Sequence, residues 1–143
     1  MRSGGGVIVS PMRTMTAVRA LAIARAVVGA TFAFRTEKML RLTVRDAPPT
    51  GALFAFAQTV GVRDLVFGLG ALVATRDGET DEAKRWLKAW LVSDVGDVVA
   101  GATGSRHLGR AGAATAATVP LPFIAAGLWA LRRLSAAEQS PSA

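Results

Sequence analysis

Residues 52–74 read ALFAFAQTVGVRDLVFGLGALVA, an apolar run broken at its midpoint by Arg63 and Asp64. As a helix, this run rises about 35 Å, enough to cross the ~30 Å hydrocarbon core of a bilayer. Within it, Ala57, Gly61, Asp64, Gly68 and Ala71 follow steps of four and three. That stepping places all five on one face, and small side chains on a face let a second backbone approach closely. Asp64 therefore belongs to a helix contact face. In lipid, a charge at mid-depth persists only where it faces protein or water.

Three further apolar stretches repeat the pattern. The spans are expected at about residues 16–34, 52–74, 86–103 and 111–131. Arg25 lies near the middle of the first, Asp94 and Asp97 near the middle of the third, and Pro120 and Pro122 at the middle of the fourth. Helical stepping links Ala22, Arg25 and Gly29 in the first, and Trp90, Asp94, Asp97, Gly101 and Gly104 in the third. Arg63 shares its face with the larger Val60 and Phe67. The fold expected is all-α, an antiparallel bundle of four transmembrane helices spanning residues 16–133. Residues 1–15 and 134–143 read as disordered tails. A cleaved signal peptide is a poor alternative for the first span, because Arg25 interrupts the apolar region and the charged start is long.

Composition agrees with this class. The chain has 143 residues, 51% of them hydrophobic, with a mean hydropathy of +0.37. Four spans of roughly 20 residues use most of that length and leave little for a separate soluble domain. Cysteine is absent, which excludes disulfides and thiolate chemistry, and the lone His107 sits in a Gly-rich turn. No metal site, cofactor or catalytic residue is assigned. The net charge of +7 lies at the ends of apolar segments, without interleaved aromatics, so nucleic acid is not an expected partner. The partners expected are the lipid bilayer and, in an oligomer or accessory role, a second copy or another membrane protein.

Four spans put both termini on one side. That side carries Arg2, Arg13, Arg76, Lys84, Arg85, Arg132 and Arg133, against Arg35, Lys38, Arg41, Arg45, Arg106 and Arg110 on the other, a slight bias toward cytoplasmic termini in an inner membrane. Trp86, Trp90 and Trp129 would form one interfacial belt, and Phe32, Phe34, Phe54 and Phe56 the other. Between the first two spans, Met39, Leu40, Leu42 and Val44 make a short amphipathic stretch before the Pro48, Pro49 break, expected along the interface. Asp77 and Gly78 form the next turn, Thr80 is expected to cap the third span, and residues 104–110 to make a tight hairpin. Pro120 and Pro122 are expected to kink the fourth span.

The candidate site is the buried polar cluster of Arg25, Arg63, Asp64, Asp94 and Asp97. Three acids against two arginines leave one carboxylate in excess, and Asp94 and Asp97, one helical turn apart, are expected to share a proton. Such a cluster most often fixes helix register. The alternatives are a small transporter or proton-coupled carrier using the carboxylates, and, further off, a membrane enzyme acting on a lipid or quinone. Asp94-Val-Gly-Asp97 partly matches the Gly-x-Gly-Asp motif of intramembrane aspartyl proteases, but the first glycine and a second motif are missing.

Gly61-Val-Arg-Asp-Leu-Val-Phe-Gly-Leu-Gly70, followed by Trp86 and Asp94-Val-Gly-Asp97, resembles a group of small bacterial four-helix membrane proteins of unknown function, distantly similar to DoxX-type proteins. The resemblance covers roughly residues 17–131. It implies a membrane bundle, and it brings no substrate, cofactor or catalytic residue.

Overall fold

A computed structural model describes residues 11–43, 50–104, 106 and 118–138. Among them are five helices and no strand: α1 (Pro11–Phe34), α2 (Thr36–Thr43), α3 (Gly51–Arg76), α4 (Thr80–Thr103) and α5 (Leu121–Glu138). The described residues are thus all-α, with long helices at the first three expected spans and α5 over the second half of the fourth. Residues 1–10, Val44 with the Pro48, Pro49 break, His107 and most of the expected 104–110 hairpin, residues 111–117 and residues 139–143 lie outside the described residues.

The tightest contact in the molecule is between α1 and α3, which run antiparallel. Ala22, Ala26, Gly29 and Ala33 on α1 meet Ala57, Gly61, Gly68 and Ala71 on α3, and all eight are buried. A Cβ on Gly61 would come within 2.5 Å of Ala33 N, and one on Gly68 within 2.5 Å of Ala26 N. A Cβ on Gly29 would collide with the Leu65 backbone. Glycine is required at these positions because backbone faces backbone. Side chains staple both ends of the pair. Arg19 donates to the Thr75 carbonyl at 2.8 Å and Gln58 to the Ala33 carbonyl at 3.1 Å, satisfying acceptors that a helix C-terminus leaves open.

Turn chemistry sets the helix ends. Thr50 caps α3 by accepting from Leu53 N–H at 3.2 Å. At its other end Gly78 takes φ +74°, Glu79 N–H donates to Ala74 O at 3.1 Å, and α3 stops in a Schellman turn at the expected Asp77, Gly78 pair. Thr80 does not cap α4. Glu79 holds the cap position without a side-chain bond, so Thr80 falls inside the first turn beside Asp81 and Glu82.

At the prolines the chain turns, at Val119 and Pro120, between the helical Thr118 and α5; Ile124 N–H donates to Pro120 O at 2.9 Å, and Pro122 sits in the first turn of α5, where no N–H partner exists to lose. The helices also run past their expected ends. α1 takes in Pro11–Met15, with Thr14 buried, and α5 continues to Glu138, because Leu134 packs with Val18, Leu87, Trp90 and Ala130 in the apolar core.

Apolar stripes lie on the outer surface. Val62, Val66, Leu69 and Val73 form an exposed stripe on α3, as do Val92, Val95 and Val99 on α4. Two segments, Met12–Phe34 and Gly51–Arg76, are long and apolar enough to cross a membrane. Only 33% and 17% of these apolar windows are buried, whereas the core helix of a soluble fold would be mostly covered. α4 is as long as α1 but carries Asp81, Glu82, Lys84, Arg85 and Lys88 in its first half and Asp94 and Asp97 beyond.

Candidate functional site

All five residues of the expected cluster meet in one network between α1, α3 and α4. Arg25 lies on the close-packed face of α1, and its guanidinium reaches α4. Nη1 donates to Asp94 Oδ2 at 2.8 Å and Nη2 to Asp94 Oδ1 at 2.6 Å, a bidentate pair. Arg63 makes the same arrangement one turn further along α4, with Nη1 donating to Asp97 Oδ1 at 2.8 Å and Nη2 to Asp97 Oδ2 at 2.7 Å. Asp64 joins the halves: its Oδ1 accepts from Arg25 Nη2 at 2.9 Å, from Arg63 Nη2 at 3.0 Å and from Arg63 Nε at 3.2 Å.

Asp94 and Asp97 do not face each other as a pair. Each acid is engaged by its own arginine through both oxygens, and the acid that bridges is Asp64. The reason is reach. One helical turn separates Asp94 from Asp97, and Arg25 and Arg63 arrive from different helices at those two levels.

The two halves differ in burial. Side-chain exposure is 1% for Arg25 and 3% for Asp94, against 17% for Asp64, 27% for Arg63 and 28% for Asp97. Three rings enclose the inner half. The Arg25 guanidinium carbon lies 4.5 Å from the Trp90 ring centroid, 5.3 Å from Phe123 and 5.7 Å from Phe67. Those rings also contact other aromatics, Trp90 tilted against Phe123 at 6.0 Å and Phe67 edge-on to Trp86 at 6.5 Å. Cation–π attraction strengthens as water is excluded, so the box stabilises the charge that the acids hold in place. Arg25 Nε and Trp90 Nε1 are buried inside it without a hydrogen-bond partner among the described residues.

Trp90 thus leaves the interfacial belt proposed from the sequence. It is fully buried, one turn before Asp94 on the same helix face. Trp86 packs over Gly70, where an added Cβ would strike its ring, while Trp129 stays exposed. Phe34, Phe54 and Phe56 are exposed as a belt requires, and Phe32 is half-buried. The aromatic box is the part of the site that sequence reasoning missed. Its one signal was the spacing of Trp90 to Asp94, four residues; Phe123 comes from α5 and carries none.

Comparison with protein-family models, curated proteins and solved structures finds no match. Among the described residues no group of three or more His, Cys, Asp or Glu side chains is placed to hold a metal ion. Asp64, Asp94 and Asp97 are instead committed to guanidinium groups, and the arrangement joins three helices through charge.

Proposed function

We propose that this chain is a four-span integral membrane protein of a bacterial inner membrane, with both termini cytoplasmic, in which the Arg25, Arg63, Asp64, Asp94, Asp97 network locks the helices in register. It serves as a structural or accessory component, alone or against another membrane protein. Kinship with the small four-helix bacterial proteins it resembles belongs to the same reading.

The observation that carries this proposal is the Arg25–Asp94 pair: bidentate, nearly fully buried and boxed by three rings, while stripes of exposed Val, Leu, Ile and Phe run along the outside of the helices. A polar interior inside an apolar exterior suits lipid as the solvent. Removing one partner of such a pair strands the other and costs about 3–5 kcal/mol. The test is extraction. The protein should stay in the membrane pellet through an alkaline carbonate wash, with reporters fused at Met1 and Ala143 both cytoplasmic. Recovery as a folded protein without detergent would reject the reading.

One observation favours a second reading, a small carrier that uses the carboxylates. The outer half of the network, Arg63 with Asp97, is about a quarter exposed, and the cluster holds three acids to two arginines. In proteoliposomes, a carrier would show a proton or ion flux that Asp97→Asn abolishes without loss of stability. The structural reading expects no such flux.

A further inference from the structure

The α1–α2 elbow carries a groove of about 520 Å³ lined by Ala30, Thr31, Phe34, Arg35, Lys38 and Met39. It sits where α1 leaves its apolar segment and α2 turns aside. Arg35 and Lys38, three residues apart, stand exposed on its rim, and neither forms an ion pair among the described residues. The nearby acid on α2, Glu37, is engaged by Arg41 at 2.7 Å and does not line the groove. Among the described residues that line this groove both charges are therefore positive, with Glu37 in the adjoining hollow that shares Arg35 and Lys38.

From the groove, an apolar track leads away along α1. Ile23, Val27, Ala30 and Phe34 follow steps of four, three and four, so they share one face. Ile23, Val27 and Phe34 are exposed, Phe34 at 77%. Eleven residues of helix rise about 16 Å, close to half the ~30 Å hydrocarbon core, which is the depth of one leaflet. A positive head site joined to an apolar track one leaflet long matches one kind of molecule.

Resting on the membrane reading above, we infer that the α1–α2 elbow is a binding site for an anionic phospholipid. Arg35 and Lys38 hold the headgroup phosphate, Arg35 by its planar donor fork and Lys38 as a point charge. An acyl chain lies along Phe34, Ala30, Val27 and Ile23. The amphipathic α2, with Leu40 buried and Leu42 outward, keeps the rim at headgroup depth.

The test is thermal unfolding of the detergent-solubilised full chain with added phosphatidylglycerol, phosphatidylcholine or inorganic phosphate. A ligand that binds only the folded state raises the midpoint. Phosphatidylglycerol should raise it, with phosphatidylcholine and phosphate well below. The shift should vanish in R35Q/K38Q and survive in R41Q, whose cation is already paired. Native mass spectrometry should show one phosphatidylglycerol retained by the wild type and lost from K38E. An equal shift with phosphatidylcholine, a shift reproduced by phosphate alone, or a shift retained in R35Q/K38Q would each overturn the site. These results leave the membrane reading standing, since that reading fails only if the protein folds without detergent or lipid.

Discussion

Asp94 and Asp97 lie one turn apart on α4 yet answer to different arginines, Asp94 to the buried Arg25 and Asp97 to the partly exposed Arg63. The two acids are chemically identical and structurally unequal. Asp94→Asn takes a full charge from a pair closed off by Trp90, Phe123 and Phe67, and should lower unfolding stability in detergent by about 3 kcal/mol. Asp97→Asn, in the less buried half, where Arg63 keeps Asp64 as a partner, should cost clearly less. Chemical unfolding of the two variants side by side checks this, and equal losses would contradict the division into inner and outer halves.

The α1–α3 contact makes a prediction that involves no charge. Gly68→Ala pushes a methyl against the Ala26 backbone, and with no flexible side chain to yield, the helices must separate at a cost of about 1–3 kcal/mol. Gly96→Ala, on the exposed face of α4 with nothing within 4 Å of the new atom, should be neutral or stabilising by up to about 1 kcal/mol through helix propensity. Thermal midpoints of the two variants should move in opposite directions or differ clearly in size.

Because the chain has no cysteine, single cysteines report accessibility without background. Val66→Cys and Val92→Cys, on outward apolar stripes, should resist a membrane-impermeant maleimide in intact membranes. Leu42→Cys and Asp77→Cys, at opposite ends of the α3 span, should each react, but from opposite sides of the membrane. Rapid labelling of Val66→Cys from water would show that the stripe does not face lipid.

The aromatic box predicts an order among Trp90 variants. Phenylalanine keeps a π face against Arg25 and removes the unpartnered Nε1–H, while leucine keeps only apolar bulk. Trp90→Leu should therefore be less stable than Trp90→Phe by about 1 kcal/mol, the worth of a partly desolvated cation–π contact. Parity between them would reduce the box to simple packing.

Much of this site was legible in the sequence because helical stepping encodes which residues face inward. Ala57, Gly61, Gly68 and Ala71 fixed the face of Asp64, and the shared depth of Arg25, Arg63, Asp94 and Asp97 brought them into one cluster. Stepping says nothing about reach, so the choice of Arg25 for Asp94 and Arg63 for Asp97 was not readable. Trp90 was ambiguous for a related reason: depth placed it in an interfacial belt and face placed it inside, and its packing with the core cluster and Phe123 decided for the face. At Pro120 and Pro122 the apolar run does break, and Pro122 is accommodated because a proline disrupts a helix interior but suits a first turn.

Whether the network locks the bundle is decided by a double-mutant cycle on Arg25 and Asp94. Arg25→Met leaves three carboxylates facing Arg63 alone, and should cost about 3–5 kcal/mol of unfolding free energy in detergent. Adding Asp94→Asn removes one stranded acid, so the double variant should be more stable than the two single losses added together, by about 2 kcal/mol or more. Losses that add within about 0.5 kcal/mol, or an Arg25→Met variant as stable as the wild type, would contradict the account.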